Sequence, residues 1–225
     1  LWAGLAGWLK ARLQVNEIIT TLMLVYISQE WVKFWVFGPW SDGGFQMSPR
    51  FPREAWLPRL TDYSDLVGDF AGLTVHLGFV IALVAAGLVW DFTTRTRKGD
   101  EIRLIGDNPR AAKYAGIDIG RTNILVMLIS GGLAGLAGAA EISGVVHRLQ
   151  DNFSPGYGFT GIIVAFLARF NPLGVVVAAI AFGALILAGR EIQPAGIPAM
   201  IQGVILFCVI ASDVFLRYRV RVVRT

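Results

Sequence analysis

Residues 124–140 form an apolar run without one charged side chain, and residues 72–90 form a second. Between them lies TTRTRKGDEIRLIGDNPRAAKYAGIDIGR, residues 93–121, with seven lysines and arginines. About 20 apolar residues of helix cross a ~30 Å hydrocarbon core. The chain has 225 residues, 55% apolar side chains and a mean hydropathy of +0.59. It reads as one all-α domain, residues 1–225, of a polytopic membrane protein with about five transmembrane helices.

A first span covers residues 15–37 and is unusually polar, with Glu30 and Lys33 one turn apart and able to pair. Residues 38–71 are rich in Pro, Gly, Asp and Trp and read as a loop. Residues 72–92 and 123–145 are further spans, as are 173–189 and 197–216. The piece at 161–170 is apolar but too short to cross, and Asn171-Pro172 breaks it. It is expected to be a broken or re-entrant segment, buried in protein or lining a water-filled cavity. The opening LWAGLAGWLK reads as the end of an apolar helix, so further N-terminal spans are expected before it.

Basic residues assign the sides. Lys10, Arg12, the 93–121 segment and the arginine-rich tail are expected in the cytoplasm, and the 38–71 loop outside. The spans at 123–145, 173–189 and 197–216 are the full crossings expected after Arg121. The same clustering at span ends explains the net charge of +4 without nucleic acid as a partner.

Inside the basic segment sits a short punctuated helix. Asn108 is a good N-cap, Pro109 suits the first helical position, and Gly116 is the stop. That leaves about seven residues, roughly 10 Å of helix. Ala111, Ala112 and Ala115 are expected to form a flat apolar face with Tyr114 as the large contact residue. Arg110 and Lys113 can meet acidic groups. A capped two-turn helix outside the bilayer suits a docking element for a soluble partner.

Elsewhere the sequence offers pathway candidates. Small residues recur in SGGLAGLAGAAE and allow close helix approach, and Glu141 closes that run as an intramembrane carboxylate. Glu17, Thr21 and Ser28 share one stripe of the first span. They form a polar seam for hydrogen bonds to solute or to a neighbouring helix. His76 suits an interfacial position, whereas His147 falls in the broken region. There is no HExxH or CxxC, and the one cysteine, Cys208, lies in an apolar run. No GxxxxGK[ST] occurs, so ATP is not expected to bind this chain.

VNEIITTLMLVYI, GDEIRLIGDNPRAAKYAGI and SGGLAGLAGAAEISGVVHRLQDNFSPGYGFTGIIVAFLARFNPLGVVVAAIAFGAL together resemble the permease subunit of a bacterial ABC importer. The branch is the one for branched-chain amino acids, simple sugars and nucleosides. The NFSPGYGFTGIIVAFLARFNPLG block is most similar to purine nucleoside permeases that work with a BMP-family lipoprotein. The resemblance implies a multi-pass protein of the bacterial inner membrane with no catalytic or metal site and no cofactor of its own. ATP and Mg would be bound by a partner ATPase. A second permease, an extracytoplasmic substrate-binding lipoprotein and membrane lipid complete the implied partners. It also implies that Asn108, Pro109, Arg110, Ala111, Ala112, Tyr114, Ala115 and Gly116 form the coupling segment. Candidate pathway residues are Asn16, Thr20, Thr21, Glu141, Asn152, Phe153, Tyr157 and Phe159. The aromatics can stack on a base and the polar residues can bond a sugar. A simple-sugar importer of the same family is the alternative. A channel or carrier without an ATPase fits less well, because it leaves the capped helix without a role.

Overall fold

The computed structural model describes residues 1–59, 62, 75–151, 154, 156–191 and 196–217, without the side chains of 190, 191, 198, 199 and 213–217. The described residues are mostly helical with no strand, and β-pairing is limited to isolated bridges. The chain forms two compact units, Leu1–Ser154 and Pro155–Thr225.

The first unit contains α1 (Trp2–Leu13), α2 (Glu17–Phe37), α3 (Leu77–Arg95), α4 (Arg97–Asp107), α5 (Pro109–Tyr114) and α6 (Ile119–Glu141). α6 continues into a π-helical turn, Ile142–Val146. α1 packs antiparallel along α6. A Cβ on Gly7 would sit 3.1 Å from Ile124 and Met127, and one on Gly131 would run into Ala3. Small residues on both helices permit this approach. The Trp2 indole donates to the Leu24 carbonyl at 3.3 Å, and Lys10 pairs with Glu17, so α2 is fastened to both ends of α1. α3 starts at Leu77, with His76 as N-cap accepting from the Gly78 amide at 3.1 Å. The expected start near residue 72 lies outside the described residues.

These contacts sort the helix ends. The α1 C-terminus, the α6 N-terminus and α4–α5 share the basic end. The C-terminal ends of α2 and α6, the N-terminal end of α3 and the 38–59 loop share the other.

The second unit holds α7 (Tyr157–Leu167), α8 (Pro172–Glu191) and α9 (Ile197–Arg217). Ile163, Val164, Ala178 and Phe182 form its core, with Ile205 and Leu206 packed against them. Thr160 donates to Gln202 Oε1 at 3.1 Å between α7 and α9. α7 begins four residues before the expected 161 and stops at Leu167. Arg169 and Phe170 then take φ of 49° and 58° and reverse the chain. Asn171-Pro172 starts a helix as well as ending one. The Asn171 side chain accepts from the Leu173 amide at 3.0 Å, the arrangement that Asn108-Pro109 also uses. Gly158 lies inside α7 and does not interrupt it; the helix starts at Tyr157, after Gly156 at φ +85°. Pro155 lies outside the described residues.

Among the described residues, three helices are long and apolar enough to cross a membrane: Leu77–Arg95, Ile119–Val146 and Pro172–Gly189. A count of about five adds α2, which carries Glu17, Glu30 and Lys33, and α9, whose apolar part is Met200–Ser212. Three full crossings after Arg121 would leave the arginine tail on the far side. The charge rule and the count agree only if α7 belongs to a fourth, broken crossing. Its 11 residues cover roughly 16 Å, about half of the hydrocarbon core.

Candidate functional site

The basic segment is helical for almost its whole length. α4 was not foreseen, because the segment reads as a polar loop. Its local signal is Thr96, whose hydroxyl accepts from the Gly99 amide at 3.1 Å and caps α4. Its second signal is the amphipathic spacing of Ile102 and Ile105, both half-buried. Gly99 is buried against the end of α3. A Cβ there would sit 2.5 Å from the Thr93 carbonyl oxygen and 2.6 Å from that of Phe92. Only glycine allows the chain to fold back this tightly.

α5 follows the expected punctuation at six residues. Asn108 Oδ1 accepts from the Arg110 and Ala111 amides at 3.0 and 3.2 Å. Gly116 takes φ +77°, and the Gly116 and Ile117 amides donate back to Lys113 and Ala112. That is a Schellman-like closure, which satisfies carbonyls the helix end would leave open. Asp118 then caps α6 by accepting from the Arg121 amide at 3.0 Å. Three residues, Ala115, Gly116 and Ile117, separate the end of one capped helix from the cap of the next.

The surface of α5 differs from expectation at one position. Ala112 is fully buried, not part of the exposed apolar face. Its carbonyl accepts from the Ile117 amide at 3.0 Å in the Schellman closure. Tyr114 is 93% exposed and projects from the end of α5. Arg110, Lys113 and Ala115 are exposed, and Ala111 is half-buried. An open cleft of about 530 Å³ adjoins this surface, lined by Arg97, Glu101, Leu104, Gly116, Asp118 and Arg121. Lys98–Glu101 at 2.6 Å and Arg121–Asp118 at 3.1 Å neutralise much of its charge. It offers paired polar groups, not a concentrated anion site.

The pathway candidates are dispersed. Asn16 caps α2, accepting from the Ile18 amide at 2.9 Å. Thr20 and Thr21 donate to carbonyls one turn back, Asn16 and Glu17. Ser28 does the same to Val25. Thr21 and Ser28 of the polar seam therefore bond their own helix, whereas Glu17 pairs with Lys10 of α1. Glu30 pairs with Lys33 at 2.9 Å, as their spacing implied. Glu141 is half-buried and ends α6 at the π-turn. Tyr157 opens α7, and Phe159 is 68% exposed. Asn152 and Phe153 lie outside the described residues.

The end of the first unit opposite α4–α5 holds a cluster that the sequence did not reveal. His147 is buried, with φ 59°, and its ring stacks on Trp56 at 3.8 Å and 12°. Arg59 Nη2 lies 2.8 Å from His147 Nε2. Arginine only donates, so Nε2 accepts and the ring is neutral with its proton on Nδ1. Nδ1 has no hydrogen-bond partner among the described residues. The nearby Ser143 carbonyl favours a protonated ring but already accepts from Leu57. Burial, then the Arg59 charge, holds the imidazole below its ordinary range, and that outweighs Ser143. Among the described residues, no group of three His, Cys, Asp or Glu side chains could hold a metal.

The profile of the branched-chain amino acid transport system permease component matches residues 1–210. The chain belongs to this permease family. It is 37% identical to the glucose ABC transporter permease protein TsgB13 of Haloferax volcanii, over 97% of this chain and 60% of that protein. It is 34% identical to the guanosine ABC transporter permease protein NupP of Bacillus subtilis, over 97% of this chain and 63% of that protein. The nucleoside permease NupB of Lactococcus lactis is 32% identical over 91% of this chain and 57% of its own length. The chain thus spans about three-fifths of the length of these relatives. No solved structure matches. Family and apolar helices together make this a multi-pass membrane protein.

Proposed function

We propose that the chain is the transmembrane permease of an ATP-driven importer, with nucleosides as its solutes. The observation that carries this reading is the helix pair α4–α5. It is rigidly capped, lies at the basic end and presents Tyr114 to solvent while Ala112 anchors it. A polytopic membrane protein gains nothing for its own packing from so exposed an aromatic. A docked ATPase would cover it.

In this reading the ATPase binds ATP and Mg, and its closure moves α5. Gly116 and Ile117 pass that movement to α6, and the pathway alternates between outward and inward openings. The setting is the bacterial inner membrane. An extracytoplasmic substrate-binding lipoprotein would deliver the solute. A second, different permease is expected as well. Haloferax volcanii, Bacillus subtilis and Lactococcus lactis each supply two distinct permeases among the relatives.

Nucleoside is the first choice because two of the relatives above are named for guanosine or nucleoside transport. Glucose is the second reading, favoured by the 37% identity to TsgB13. Uptake into cells expressing the full operon decides between them. The proposal predicts saturable guanosine uptake that excess adenosine competes and excess glucose leaves unchanged. The reverse pattern would make the solute a sugar.

A further inference from the structure

The external loop is bonded to the end of α6 by an unusually complete set of contacts. The last carbonyls of a helix have no partner within it and need one from elsewhere. Here the loop supplies several. The Leu57 amide donates to Ser143 at 3.0 Å, and the Phe51 amide donates to His147 at 2.9 Å. Arg59 Nη2 donates to Gly144 at 3.3 Å, bringing a cation to the negative end of the helix. The Ser48 amide donates to the Leu149 carbonyl at 2.8 Å, and Ser48 Oγ accepts from the Leu149 amide at 2.9 Å. The Trp56 indole donates to the Phe51 carbonyl at 2.9 Å while its ring covers His147. The same loop reaches α3, where the Leu77 amide donates to the Pro58 carbonyl at 3.0 Å.

The other end of α6 follows α5 after a link of four residues, 115–118. Between these ends the helix is continuous for 23 residues, about 35 Å. We infer that α6 is a lever between the coupling helix and the external loop, with Trp56, Arg59 and His147 as the positioning residues that latch loop to lever. The inference rests on the importer reading. The latch stays closed through the transport cycle, so movement of α5 reaches the external mouth as movement of residues 48–59. Breaking the latch leaves ATPase docking and hydrolysis intact but lowers the solute delivered per ATP.

The test uses the complete transporter, with its ATPase and binding lipoprotein, in proteoliposomes. The parent must first show ATP-dependent uptake; failure there sinks the importer reading and is separate from the latch. In a Cys208→Ser background, Leu57→Cys with Ser143→Cys places two thiols where the backbones already bond. Oxidation should leave at least half of the uptake. A loss on oxidation that reductant restores would show that the loop must detach, and would overturn the inference. Arg59→Leu should cut solute moved per ATP hydrolysed by about fivefold or more, and Arg59→Lys should recover at least half. An unchanged ratio in Arg59→Leu would also overturn it. If Arg59→Leu does not accumulate in the membrane, the thiol pair alone decides.

Discussion

Replacing Tyr114 with alanine separates a docking role from a folding role. The side chain is 93% exposed, so its removal takes no packing from the isolated subunit. A surface change of this kind shifts stability by no more than about 0.5 kcal/mol. If an ATPase covers the ring, the loss at the interface is that of an aromatic anchor, about 2 kcal/mol or more. At 1.4 kcal/mol per decade that is about a 30-fold weaker complex. Ala112→Glu is the opposite case. Ala112 is fully buried, and a carboxylate there would cost about 3 kcal/mol or more, as an unpaired buried charge does. The assay pairs ATPase affinity, by surface-immobilised permease in detergent, with thermal stability by size-exclusion after heating. Tyr114→Ala should lose affinity with unchanged stability, and Ala112→Glu should lose stability first. Equal affinity of Tyr114→Ala and parent would refute docking through α5.

Other outcomes follow from the same geometry. A membrane-impermeant maleimide on intact cells should label Ser41→Cys and spare Arg97→Cys, each in a Cys208→Ser background; the reverse pattern would invert the topology. Gly131→Leu should drive α1 from α6 and lower the heating midpoint, whereas Gly132→Leu, with nothing within 4 Å of its Cβ position, should be far milder in the isolated subunit. The latch should weaken in acid. The groups facing His147 are Arg59, Arg50 and His76, and each disfavours a proton on its ring. Its proton affinity is lower in the closed arrangement than in an open loop. Closure is therefore fully favoured above pH of about 6.5 and penalised below it. Limited proteolysis of the 48–59 loop should accelerate as external pH falls from 7.5 to 5.5, and His147→Gln should flatten that dependence.

Much of the α4–α5 end is written in local chemistry. Asn108, Pro109 and Gly116 act within a few residues of themselves, so capping rules place them correctly. The burial of Ala112 is different. Alanine alone does not say which face of a short helix it occupies. α4 was hidden for a related reason. Its polar composition resembles a loop, and only the Thr96 cap and the close approach at Gly99 mark it. The latch was invisible from sequence because Trp56 and Arg59 meet His147 across some ninety residues of chain. The pathway candidates on α2 failed to gather for a physical reason. Threonine and serine inside a helix have a carbonyl one turn back within reach, and there they use it.

Photo-crosslinking from position 114 tests the account's central claim most directly. A benzoyl-phenylalanine in place of Tyr114, irradiated in membranes of cells carrying the whole operon, should yield one major adduct with the ATPase subunit. The same probe at Ser41, at the opposite end of the unit, should yield none with that subunit. Irradiation that leaves the ATPase free at position 114, in membranes that still import solute, would contradict the assignment of α5 as the coupling helix.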